Sequence, residues 1–247
     1  MVPREERVRH FGVDLILEPG VFSNNVREAI KNKQYESGEA KQLKQILQYR
    51  ERVLEVGGGI GFMSTVAAKD ENCEAVEVYE ANPDLNRIIE RVHAENQVTG
   101  VKVVQGVLAN GPPLSPVNFY LRNDFWASSL SPGPYGYRDV VEVPQYSFSA
   151  TVERFQPTVI VADIEGGELD LLRHANLNGV EKVLVEVHQR VLGRQGMKQL
   201  FDAMSARDFH YDQFHSSGGV ILFSHVKRDE MRRARERKDS EEASSTG

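Results

Sequence analysis

The chain has a single cysteine, Cys73. That excludes an intramolecular disulfide and any cysteine-cluster metal site, and it fits a reducing compartment. No window approaches 18 consecutive apolar residues, so no transmembrane helix is expected. The opening stretch "MVPREERVRH" has no apolar segment behind its charges and does not read as a secretory signal. Basic residues are in deficit, with 30 Lys and Arg against 36 Asp and Glu. A protein that coats nucleic acid needs the opposite excess, so no nucleic-acid partner is expected. The histidines nowhere show the HExxH spacing of a metal site, and there is no internal repeat. What is present, 40% hydrophobic and 27% charged residues over 247, suffices for the core of one generous domain. A cytoplasmic enzyme of unstated oligomeric state is the expectation.

Three regions follow from the patterning. Residues 1–48 read as a helical preamble, with helices near 24–33 and 37–48 after a short extended piece, "DLILEPG". Residues 49–225 alternate short β-rich runs with helices: "RVLEV", "AVEVYE", "VKVVQGV", "TVIVADIE" and "VEKVLVEVH" are the strands, and "DFHYDQF" with "GVILFS" a closing hairpin. This order implies right-handed crossovers and a doubly wound, mostly parallel sheet. Residues 107–150 interrupt the rhythm as a looped insertion and candidate substrate wall. The stretch 226–247 carries seven basic and six acidic residues and reads as a solvated, frayed or disordered tail.

The densest motif is "VLEVGGGIGF" at 53–62, where four glycines in five positions follow the first strand. In a doubly wound sheet, ligands bind beyond the carboxyl ends of the strands, which is where this loop falls. A simple turn needs one or two glycines, so a ligand against the backbone is the favoured explanation. The dinucleotide fingerprint G-x-G-x-x-G fails, because Phe62 stands where its third glycine should be. What fits is acid-x-G-x-G-x-G through Glu55, Gly57, Gly59 and Gly61. A carboxylate there would repel a pyrophosphate and suit a cation such as the ammonium and sulfonium of S-adenosyl-L-methionine.

Carboxylates mark the other strand ends. Glu80, 23 residues beyond Gly57, stands where a ribose-binding acid is expected, although an acid near a helix N-terminus is also welcome for the helix alone. In "VADIEGGELDLL", Asp163, Glu165 and Glu168 place three carboxylates in six residues, a costly arrangement unless they meet a helix start, a substrate or a metal. Glu168 alone is as well explained as a helix cap. His188, in "LVEVH", is structural by default and catalytic by position. The aromatics of the insertion (Phe119, Tyr120, Phe125, Trp126, Tyr135, Tyr137 and Tyr146) suit either a stacking wall or a satellite core.

Together, "YESGE", "VLEVGGGIGF", "VYEANP", "AENQVTG", "WASSL", "ADIEGGELDLL" and "LVEVH" resemble the FkbM-type family of class I S-adenosylmethionine-dependent methyltransferases, over roughly residues 35–224. The resemblance implies a Rossmann-like seven-stranded sheet with an antiparallel last strand. It also implies O-methylation of a hydroxyl on a sugar or polyketide-like acceptor. By motif, Glu55, Gly57, Gly59 and Gly61 would hold the methionine portion of the cofactor, and Glu80 the ribose. Two positions depart from the family: Ala81 replaces a frequent proline, and Val161 stands where many relatives have lysine, which argues against a mechanism needing a cation beside Asp163.

The expected chemistry is attack of a substrate oxygen on the sulfonium methyl, with alignment and proton removal as the protein's share. Asp163 is the first candidate for the base, followed by His188 and Glu165. No metal is expected, although an ion held by these carboxylates could polarise the hydroxyl instead. The competing readings are a nicotinamide-dependent oxidoreductase and a catalytically silent binding module of the same fold.

Overall fold

A computed structural model of the protein describes residues 6–18, 20–111, 115–133 and 136–245. A hairpin of β1 (Glu6–His10) and β2 (Val13–Leu17) leads into α1 (Asn24–Lys31) and α2 (Ser37–Ile46). Then come β3 (Glu51–Val56), α3 (Phe62–Ala68), β4 (Cys73–Glu80), α4 (Pro83–Glu95) and β5 (Val101–Gln105). The middle holds β6 (Val107–Ala109), β7 (Val117–Leu121), β8 (Asp139–Val143), β9 (Gln145–Ser147) and α5 (Phe148–Phe155). The chain closes with β10 (Val159–Ala162), α6 (Glu168–Leu172), β11 (Lys182–Glu186), α7 (Gln189–Ser205), β12 (Phe209–Tyr211), β13 (Val220–His225) and α8 (Arg228–Ser245).

Seven strands form the central sheet in the order β12-β13-β11-β10-β3-β4-β5, with β13 antiparallel to both its neighbours. This is the Rossmann-like arrangement expected from the alternation. β3, β10 and β11 are covered on both faces, which explains the apolar runs at residues 53–54, 159–162 and 183–185. Val53, Val161 and Leu184 point into a core shared with β2, α1, α2, α3 and α4. Leu54, Ile160 and Val183 point into a second core with α5, α6 and α7. The strand order reverses between β3 and β10, so a crevice opens there at the carboxyl edge. α4 starts as its sequence demands: the Asn82 side chain accepts from the Asp84 N–H at 3.0 Å, with Pro83 first in the helix.

The structure departs from expectation in three places. The preamble is not wholly helical and not a separate unit. It begins with the β1–β2 hairpin, and Leu15, Leu17, Val26, Ile30 and Leu43 share one core with Phe62, Val66 and Ile88 of the alternating region. Second, α5 was not anticipated. Ser147 caps it by accepting from the Ala150 N–H, and Phe148, Thr151, Val152 and Phe155 form a buried stripe at helical spacing. Its β-branched residues and its position straight after β9 hid that signal.

The third departure is the charged tail, which is not disordered but forms α8 and is tied to the sheet. The Arg235 guanidinium lies 3.0 Å from Glu181, donates to the Tyr49 carbonyl at 3.0 Å and stands 3.5 Å from Glu51. Glu51, Glu181 and Lys182, whose ammonium bonds Glu51, are all at most 1% exposed. A buried acid without a cation is costly, and this supplies an ordering force that local charge composition does not reveal.

Candidate active site

Where the strand order reverses lies a cavity of about 490 Å³. Gly57, Gly59 and Glu80 form one side of it, Asp163 and Glu165 a second, and Phe125 and Trp126 of the insertion a third. Three of the sequence's candidates, Glu55, Gly61 and His188, do not line it. Glu55 is 3% exposed and faces a much smaller side cavity beneath Gly57, shared with Glu36, Glu39, Asp163 and Glu186. Gly61 opens α3 against α4.

The glycines are required by the protein itself as much as by any ligand. Gly57 has φ +89°, and a Cβ there would come within 1.9 Å of the Asp163 carbonyl oxygen. Gly61 has φ +78°, and its Cβ would meet the Ile89 backbone at 3.0 Å. The expectation that a ligand emptied the whole loop is therefore corrected: the strand-end loops and α4 pack against it too closely for side chains. Gly57→Ala should destabilise the fold by about 3 kcal/mol or more, through combined backbone strain and backbone clash. Denaturant melts would show this, and a shift below about 1 kcal/mol would refute the geometry.

Glu80 ends β4 with its carboxylate pointing back over the loop. It accepts from the Gly59 N–H at 2.8 Å and from the Asn82 N–H at 2.7 Å. Burial raises its pKa to about 7, with these backbone bonds opposing the rise. Each carboxylate oxygen retains lone-pair capacity toward the cavity, as a group meeting two ribose hydroxyls would need.

Asp163, Glu165, Glu168 and His188 converge where β10 and β11 end. His188 lies two residues past β11 and caps α7. Its Nδ1 is 2.7 Å from Glu168 Oε1, and its Nε2 is 3.5 Å from Glu165 and 3.8 Å from Asp163. Glu168 is fully buried, and its Oε1 also accepts from the Gly166 N–H at 2.9 Å. Burial works against charging His188, but the Glu168 bond and the Glu165 charge prevail and hold its pKa up at about 9. This favours the imidazolium form of the ring, the form without a free lone pair. It also supplies a cation beside Asp163 despite Val161, so the objection raised by the missing lysine falls away. Burial, then the Glu186 and Glu165 charges, push the Asp163 carboxyl well above its usual range.

The insertion's aromatics divide. Phe125 and Trp126 line the cavity, with Trp126 stacked on Tyr35 at 6.3 Å between centroids. Phe119 lines it too, but also belongs to a satellite core with Leu121 and Val143. Tyr120 packs on Tyr137, and Tyr146 on Tyr79; Tyr135 lies outside the described residues. Ser128 and Ser129 line the cavity while their hydroxyls bond Arg122. Sequence reading assigned no role to Glu36 or Glu186. Glu36 lies inside the quoted "YESGE", and Glu186 stands two residues before His188 on an alternating strand, so both signals were present.

The profile of the methyltransferase FkbM domain matches residues 55–214. The chain belongs to the FkbM methyltransferase family. It is thus an S-adenosylmethionine-dependent methyltransferase, and S-adenosylmethionine is its cofactor. The nicotinamide reading falls with this assignment. No curated protein matches the chain. Among solved structures it is similar to Trm5b from Pyrococcus abyssi, with 13% identity and a TM-score of 0.51 over 89% of this chain and 55% of that one. This chain therefore spans little more than half the length of that protein, and the likeness concerns the fold alone. A methyltransferase from Pyrococcus furiosus matches at 16% identity and TM-score 0.46, over 87% of this chain and 90% of that one. TYW2 from M. jannaschii, solved in complex with AdoMet, matches at 11% identity and TM-score 0.44, over 90% and 87%. Among the described residues, no helix is long and apolar enough to cross a membrane.

Proposed function

We propose that this FkbM methyltransferase methylates a hydroxyl oxygen on a sugar or natural-product acceptor. The observation that carries the reading is the meeting of Asp163 and Glu165 with the glycine loop and Glu80 on one cavity. An alcohol is a weak nucleophile while protonated, and a methyltransferase for alcohols therefore needs a proton acceptor beside the methyl donor. When bound, the cofactor supplies a methyl group already activated on sulfonium.

Gly57 and Gly59 leave open backbone against which a cofactor can lie, and Glu80 accepts the ribose hydroxyls. Asp163 takes the hydroxyl proton, and the His188 imidazolium, held by Glu168, offsets the charge around it. Trp126 and Phe125, their planes 58° apart, form an apolar wall that offers an aromatic face to a sugar or planar ring. The test is labelled cofactor with a panel of glycans and natural-product hydroxyls. Label on oxygen supports the reading, and label only on nitrogen or carbon acceptors overturns it.

The Glu80 role has a pH signature. Ribose recognition uses the carboxylate, while the free group has a pKa of about 7. Below that value binding must expel a proton, so affinity for S-adenosylhomocysteine should be flat above neutrality and fall by up to about tenfold per pH unit below it. Glu80→Gln should weaken binding and flatten that slope. Calorimetric titration across pH checks both; an unchanged slope removes Glu80 from this role.

A further inference from the structure

The side cavity beneath Gly57 raises a separate question. Five carboxylates line it (Glu36, Glu39, Glu55, Asp163 and Glu186), and no Lys or Arg does. Glu55 is 97% buried by difference from its 3% exposure, and its Oε2 has no hydrogen-bond partner among the described residues. Asp163 Oδ1 has none either and faces His188 Nε2 at 3.8 Å. Unpartnered buried oxygens of this kind are costly unless the group takes up a proton or a cation arrives.

The sheet brings the acids together by register. Ala162 pairs with Val185, so Asp163 and Glu186 follow at one level on neighbouring strands, and Glu55, paired with Val161, stands one layer below. His188 completes the group: one oxygen each from Asp163 and Glu186 and one ring nitrogen from His188 lie within 4.8 Å of one another. The orientation of that ring matters. Nδ1 is committed to Glu168, while Nε2 makes no hydrogen bond among the described residues and stands 3.5–3.8 Å from two carboxylates. The 3.8 Å to Asp163 is too long for a hydrogen bond and a little beyond the roughly 3–3.5 Å between neighbouring ligands of one ion with bonds of 2.0–2.4 Å. A histidine whose second nitrogen is fixed by a carboxylate is the usual arrangement of a metal ligand.

We propose that Asp163, Glu186 and His188 form a binding site for a divalent cation of the Mg²⁺ or Mn²⁺ class, with Glu55 as the acid beneath it. The two carboxylates suit both ions, the imidazole is better tolerated by Mn²⁺, and any proton on Nε2 leaves as the ion enters. This rests on the reading that the cluster activates a hydroxyl, and changes only the means. With the ion in place, Asp163 is a ligand, the ion draws electron density from the hydroxyl oxygen, and the proton passes to Glu165, which lies outside the triad and faces the main cavity.

The test is Mn²⁺ titration of the full chain, read by calorimetry and by loss of the free-ion paramagnetic signal. One ion per chain is expected, bound at least about tenfold more weakly by Glu186→Gln and by His188→Gln. Glu186 is the decisive position because proton removal by Asp163 does not require it. S-adenosylhomocysteine affinity on the same preparations shows that the variants are folded. No saturable binding at millimolar Mn²⁺, or binding indifferent to both substitutions, overturns the site. Full-rate methylation of an oxygen by EDTA-treated protein overturns it too, and leaves oxygen methylation standing. Mn²⁺ binding that tracks these side chains, with label arriving only on nitrogen, upholds the site and overturns the oxygen reading.

Discussion

Asp163→Asn should lower turnover by about 10²–10⁴-fold while changing S-adenosylhomocysteine affinity less than about threefold, since removal of a positioned acid or base costs in that range. The substitution keeps the size and polarity of the side chain and removes its charge. In the crowded cluster this relieves repulsion with Glu186 and Glu165, the charges that, after burial, raise the Asp163 pKa. Thermal stability should therefore hold or rise. Loss of activity together with a held or raised melting temperature separates a functional carboxylate from a structural one. Single-turnover rates and melting curves on one preparation decide the matter. An Asn variant that turns over normally would exclude Asp163 both as proton acceptor and as the anchor of an activating ion.

Removal of α8 by truncation after Lys227 should be strongly destabilising. The charged composition of this segment suggests that it is dispensable, but the structure argues otherwise. Without Arg235, Glu51 and Glu181 keep only Lys182 between them, all three at most 1% exposed, and the Asp239 contacts with Tyr49 and Arg50 disappear as well. Breaking a buried pair costs about 3–5 kcal/mol. In a domain of this size that corresponds to a fall in melting temperature of about 10 °C. Water entering where α8 lay will rehydrate part of the cluster and offset some of this loss. Arg235→Met in the full chain isolates the ionic component, and should reproduce a substantial part of the fall. If the truncated protein melts with the intact one, α8 contributes nothing to the fold. Activity measured at low temperature should survive truncation, because α8 lies at the amino-terminal edge of β3 and β11, away from the cavity.

Much of this was legible in local sequence. Strands β3, β4, β5, β10 and β11 announce themselves as short β-branched runs, and α4 carries a complete start signal in Asn82-Pro83-Asp84. The acid-x-G-x-G-x-G run and the family motifs pointed to the methyl donor, which the family match bears out, although Glu55 itself does not line the main cavity. Glu80, Asp163 and Glu165 were placed from position alone, since strand ends in a doubly wound sheet converge wherever the order reverses.

Other features depend on partners distant in sequence. Nothing near Gly57 shows that the Asp163 carbonyl would occupy its Cβ position, since the two lie on strands paired across more than a hundred residues. The ordering of α8 depends on buried acids on β3 and at the start of β11. Nothing near His188 in sequence shows that its Nδ1 meets Glu168 at 2.7 Å, the contact that favours the charged ring. Glu186 was one acid on an alternating strand until the register of β10 and β11 set it level with Asp163. The sequence by itself determined the sheet and the methyl donor, because periodicity and loop chemistry are local. Only the tertiary structure decided which carboxylates share a cavity, which are paired and which stand without a partner, because burial and charge are properties of what the fold brings together.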